Sequence, residues 1–308
     1  MNGILASLIV LQAAPVPLEL VAQPWVECTA PVLDLALAHD GARLFTLTET
    51  RERSAWYVKD GVEDWRHADE HLVAIDAAKT GLLGTGAFPA ALLFDPETGV
   101  RVTANGYPDP PAATLVADPD GRWVWIGTQN GLVRLVPGDV QTFNRRPLEN
   151  GGVTRLALDG TGKLLAAGGK DGTVRFANAQ GASVDEKRVL VGPASPVSAL
   201  AFGPKVLIVA HEDRSVRLWK LATNKLELEL APGGAPVWDV VVPERAAWFA
   251  YGDGDGQVLL RSLTKDVVLA RGRTGAGPIK ALVLAEKPAT LYVASGKKVF
   301  TFDLSGVK

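Results

Sequence analysis

A unit of about forty residues recurs along the chain, and nothing else in the sequence restricts the fold as strongly. The segments VTRLAL at 153–158, KLLAAGGKDGTVRFA at 163–177 and EKRVLV at 186–191 set the pattern. The same order returns as VSALAF at 197–202, VLIVAHEDRSVRLWKL at 206–221 and KLELEL at 225–230. It returns again as VWDVVV at 237–242, AAWFAYGDGDGQVLLRSL at 246–263 and DVVLA at 266–270. Weaker copies begin at Val32, Leu72, Ala113 and Ile279, so that seven starts lie 40–44 residues apart. A period of this length, with four short strands per unit, is that of a propeller blade. The expected fold is all-β, a seven-bladed β-propeller closed by an N-terminal strand that completes the last blade.

Each unit reads as four antiparallel strands. The first is short and apolar, as in Ala199 to Phe202, and suits an inner strand lining a central channel. The second is a continuous apolar run, such as Trp123-Val124-Trp125-Ile126, buried on both faces between neighbouring blades. A tight turn follows at Asp171-Gly172 and Asp255-Gly256, where glycine supplies the positive φ. The third strand carries Val-Arg-Leu-Trp at 216–219, with Trp219 expected between blades. The fourth alternates, as in Leu226-Glu227-Leu228-Glu229-Leu230, and its glutamates discourage pairing at an outer edge.

The seventh unit, from Ile279, supplies only three strands before Lys308. Upstream of the first unit, Leu18-Glu19-Leu20-Val21-Ala22 alternates like an outer strand. It is expected to pair with Val299 to Leu304 and close the ring, removing the last open edge. Ahead of it, Ile4 to Leu11 is an apolar run followed by Gln12, Ala13 and Ala14. That run is far short of the roughly 30 Å of hydrocarbon a membrane span must cross. It has the size of a signal-peptide core, although Met1-Asn2-Gly3 carries no basic residue. Residues 1–16 are therefore read as either a signal peptide or an apolar leader, and 17–308 as the propeller. The first reading implies an exported or periplasmic protein and the second a cytoplasmic one.

Charge and chemistry narrow the function classes. Lys and Arg total 32 against 34 Asp and Glu, a net charge of −2, which argues against a nucleic-acid-binding surface over the whole molecule. The single cysteine, Cys28, excludes an internal disulfide framework. His67-Ala68-Asp69-Glu70-His71 has metallopeptidase spacing, but that spacing works only on a helix and here falls between two strands. Asp253-Gly254-Asp255-Gly256 hints at a calcium loop, lacks the closing glutamate, and shares the register of the Asp171-Gly172 turn. Neither a phosphate loop nor a G-x-S-x-G elbow occurs. No cofactor, metal or catalytic set is assigned.

The unit from Val197 to Leu230, with inner strand, buried strand, turn Asp213 and Leu218-Trp219, resembles the WD40 repeat family. The likeness covers about 32–308 and is strongest over 153–263. It departs from the family in lacking the Gly-His dipeptide, near whose place stands Gly192-Pro193. The turn aspartate is kept at Asp171, Asp213 and Asp255, approximated by Asn130, and missing from the first, second and seventh units. The family's buried polar network is thus incomplete, and the blades are expected to rely more on apolar packing.

The resemblance implies a non-enzymatic scaffold that binds a protein partner through one face of the ring, the end formed by the turns entering the inner strands. Residues placed at that end are Arg155, Trp238, Asp239 and Lys280, with Trp25, Tyr107, Arg145 and Arg146 on linkers. Trp, Tyr and Arg are the types that dominate interface energetics. The chain is expected to be monomeric on its own. The alternative is a propeller enzyme, or a small-molecule or metal-binding protein, with a site in the central channel.

Overall fold

In the computed structural model, residues 16–307 are described, apart from 69–71, 87–89, 108–109, 138, 150, 182, 231–232 and 246. The described residues form seven sheets, antiparallel apart from one added strand on the sixth, with no helix among them, arranged as a seven-bladed propeller. The inner strands are Val32–Leu37, Leu72–Ala78, Ala112–Ala117, Val153–Leu158, Val197–Phe202, Val237–Val241 and Ile279–Glu286. They follow the repeat starts seen in the sequence.

The second strands are the most deeply buried parts of the molecule. Every residue of Val124–Thr128, Val206–His211 and Trp248–Asp253 is buried, as a run apolar on both faces requires. The core is not one mass but seven clusters, each between two adjacent blades. The Asp-Gly turns have the expected backbone, with φ of 82° at Gly172 and 74° at Gly256. Asp171 and Asp213 each accept hydrogen bonds within their own turns, from Thr173 and Ser215 respectively.

Leu218 of the third strand of blade five is fully buried against blade six. Trp219 points the other way, towards blade four, and is only half-buried. Trp219 thus lies between blades as expected but is less deeply buried, because alternation along the strand gives the deep interface to the leucine.

Ring closure also differs in detail. The strand completing blade seven is Gln23–Glu27, antiparallel to Lys298–Asp303 with Gln23 opposite Thr301 and Glu27 opposite Lys298. Leu18–Leu20, expected in that place, instead runs parallel to Val268–Arg273 as a fifth strand on blade six. Local packing decides between them. Trp25 meets Tyr292 edge-on with ring centroids 5.0 Å apart, and Val26 is buried, so Gln23–Glu27 covers the blade seven seam. Leu20 is buried with Ala270 and Phe302, while Leu18 and Glu19 stay exposed. Its close approach depends on Gly272, where a Cβ would lie 2.6 Å from the Phe302 ring and 3.1 Å from Leu20 Cβ.

His67 lies in a strand, Glu63–Ala68, and its Nε2 is 2.9 Å from the Thr98 carbonyl oxygen. The remaining members of that motif, Asp69, Glu70 and His71, fall outside the described residues, as do residues 1–15. No helix of the described residues is long and apolar enough to cross a membrane.

Candidate partner-binding face

Every inner strand shifts register just after its first residue, between Val32 and Asp34, Leu72 and Ala74, and so on round the ring to Ile279 and Ala281. Such a bulge leaves one residue unpaired and re-aims its neighbours. The bulged residues are Leu33, Val73, Ala113, Thr154, Ser198, Trp238 and Lys280. All seven inner strands contribute to one cavity of about 230 Å³ at this end of the channel.

Several polar side chains on these strands join neighbouring blades. Asp34 accepts N–H bonds from Leu35 at 2.9 Å and from Ile75 of blade two at 2.9 Å. Asp76 does the same with Ala77 and with Ala117 of blade three. Asp239 bonds Val240 at 2.8 Å and Leu282 of blade seven at 2.6 Å. Thr154 donates to the Val197 carbonyl and Ser198 to the Val237 carbonyl, joining blades four to five and five to six. Removal from water disfavours ionisation of these carboxyls, and Asp239 and Asp76 add repulsion at Asp34. Asp34 is raised to about 7, and Asp76 and Asp239 to about 6. At Asp239 the nearby Arg155 works in the opposite direction.

The cations at the mouth are placed differently. Arg155 is half-buried and donates from Nη1 to the Thr154 carbonyl at 2.8 Å. Lys280 is exposed, with Nζ 4.8 Å from the centroid of the half-buried Trp238 ring. Neither cation has an ion-pair partner within 4.0 Å among the described residues.

Four of the eight residues singled out from sequence, Arg155, Trp238, Asp239 and Lys280, therefore line one cavity. Tyr107 is instead buried with Leu83 and Val133 between blades two and three. Arg145 and Arg146 lie not on a linker but in the outer strand Asp139–Pro147, opposite Val133 and Leu132. Asp34 and Asp76 were missed. A signal existed, because Asp34 stands at the same place in its repeat as Asp239, an acid in an otherwise apolar strand. No group of three or more His, Cys, Asp or Glu able to hold a metal ion occurs among the described residues.

A larger hollow of about 510 Å³ lies where the turns leave the inner strands of blades four to six, lined by Leu158, Phe202, Leu221 and Val242. Its Asp159 is occupied by N–H bonds from Lys163 and Leu164. No cation lines it.

The sequence profile of the WD domain, G-beta repeat family matches residues 140–178. That span runs from the outer strand of blade three through the first three strands of blade four. The uncharacterized WD repeat-containing protein sll1491 of Synechocystis sp. is 29% identical over 142 residues. Residues 140–178 thus carry a WD repeat, and the chain as a whole is similar to the WD40-repeat β-propellers. The alignment with the Synechocystis protein spans 44% of this chain and 39% of that relative's length, so the whole relative is not matched. Among solved structures, that of U3-55K superposes with a TM-score of 0.80 at 12% identity, covering 92% of this chain and 98% of the other. At that identity the likeness concerns the fold. The WD40 fold generally mediates protein–protein interaction, and the site here must be argued from its own side chains.

Proposed function

We propose that this WD40 propeller is a non-enzymatic scaffold that docks a protein partner on the face where the channel mouth opens. One observation carries the reading: Arg155, Trp238 and Lys280, from three different blades, converge on a single mouth, and neither cation has an ion pair within 4.0 Å among the described residues. The carboxylates beside them already bond backbone N–H groups and hold blades together, which supports a binding role more than acid–base chemistry. A rigid ring presenting Trp and Arg at one opening is the arrangement that concentrates binding energy in few residues.

The test is affinity capture from native cells with wild-type protein, Lys280→Glu, and Glu227→Lys on the outer strand of blade five. Lys280 and Glu227 are both exposed, so neither change removes buried packing. Loss of the co-purifying protein with Lys280→Glu alone, at unchanged melting temperature, is the expected result. Equal capture by all three proteins rejects this face.

A further inference from the structure

The chemistry of the mouth selects among partners. We propose that it receives the side chain of a glutamate or aspartate from an acidic segment of the partner, with the carboxylate between Arg155 and Lys280 and the stem against Trp238. The inference rests on the reading of this mouth as the docking face.

The wall is mixed in sign, but its charges are not equally available. Asp34 and Asp239 each direct both carboxylate oxygens at backbone donors, one on their own strand and one on the next blade. Each oxygen thus already accepts one backbone hydrogen bond that holds the ring together. The cations are not committed in this way. Arg155 donates one hydrogen bond to a carbonyl, and the Lys280 ammonium rests over an aromatic face with no carboxylate within 4.0 Å among the described residues. A guanidinium offers paired donors that match a carboxylate, and the Lys280 ammonium lining the same cavity adds a second charge.

Size and surroundings narrow the guest further. The cavity of about 230 Å³ admits one side chain and no folded element. The Trp238 ring provides an apolar surface for the methylenes that carry the carboxylate. A basic guest would share the cavity with Lys280 and Arg155, while the Asp34 and Asp239 oxygens already accept backbone N–H groups. A nucleic acid needs a row of cations along its phosphates, whereas this mouth has two, sharing the lining with Asp34 and Asp239.

The full-length protein is titrated at low ionic strength with glutamate blocked as the N-acetyl N′-methylamide. The indole N–H resonance of Trp238, assigned by its loss in Trp238→Phe, is followed. Parallel titrations use blocked glutamine, blocked lysine and inorganic phosphate. A saturable shift with blocked glutamate, on the order of millimolar, is expected. The Arg155→Gln/Lys280→Gln protein should bind it at least roughly tenfold more weakly. No shift with blocked glutamate, an equal response to blocked glutamine, or tighter binding of lysine or phosphate overturns the inference. If partner capture still depends on Lys280 in that event, the docking face stands and only its assigned chemistry falls.

Discussion

Single carboxylates in the channel wall show how a side chain can serve the ring and carry a measurable signature. The Asp34 carboxyl, ordinarily near 3.8, is held at about 7 in the folded chain. Between those values the folded state binds more protons than the unfolded state. The contribution of this group to stability is therefore complete below about 4 and is lost as pH rises through about 7. Asp76 and Asp239 act in the same direction up to about 6. His211 is opposite: burial lowers it below 6.5, so its neutral form is favoured and stability is lost as pH falls through that value. Urea unfolding of Asp34→Asn between pH 5 and 8 should show a shallower decline with rising pH than the parent. An unchanged slope would mean that Asp34 does not hold its proton. At pH 8 the variant should also be less stable, because an amide has one accepting oxygen for the two N–H groups of Leu35 and Ile75.

Gly252 is a second residue with a narrow constraint. A Cβ there would lie 2.3 Å from Cγ2 of Ile279, the first residue of the next inner strand. Gly252→Ala should cost about 1–3 kcal/mol by overpacking, and because Ile279→Ala removes Cγ2, the double variant should lose less than the sum of the two single losses. Thermal melts of the single and double variants decide this, and a neutral Gly252→Ala would show that the blades separate easily.

At the scale of the strand, alternation assigns work to neighbouring residues. Leu218→Ala should destabilise by about 2–5 kcal/mol, as for any fully buried leucine. Trp219→Ala should fall below the roughly 3–5 kcal/mol of an enclosed aromatic, since part of its ring already faces water. Equilibrium denaturation of the two variants checks the order. The two N-terminal strands separate in the same way. Removing residues through Ala22 takes away one buried leucine, Leu20, and leaves blade seven with four strands. Melting temperature should fall modestly and the ring should stay closed. Removing residues through Glu27 exposes the edge of Lys298–Asp303, and hydrogen exchange across blade seven should become fast. Slow exchange in the longer deletion would show that the ring closes without this strand.

For the whole molecule, the repeat was readable because a blade is a local object: each hairpin joins segments close in sequence, and its apolar runs and Asp-Gly turns are local signals. The closing strand was readable only as a need. Seven starts with three strands in the last unit require a fourth from elsewhere, but Leu18-Glu19-Leu20 and Gln23–Glu27 are both short and near the same end. Which one pairs with Lys298–Asp303 depends on the fit of Trp25 to Tyr292 and of Leu20 to Gly272, contacts separated by some 250 residues or more. Tyr107 shows the same limit from the other side. As a linker aromatic it resembles an interface residue, and only the packing of blades two and three removes it from the surface.

What the sequence determined by itself is the number of blades, their strand order and the turns that join them, because alternation and glycine placement act within a few residues. What the tertiary structure alone decided is the channel mouth. Asp34, Asp239, Arg155, Trp238 and Lys280 come from four different repeats, and they share one cavity only because the ring closes and brings their inner strands round one channel. Proximity across a closed circle is a property of the whole chain, and no local pattern encodes it.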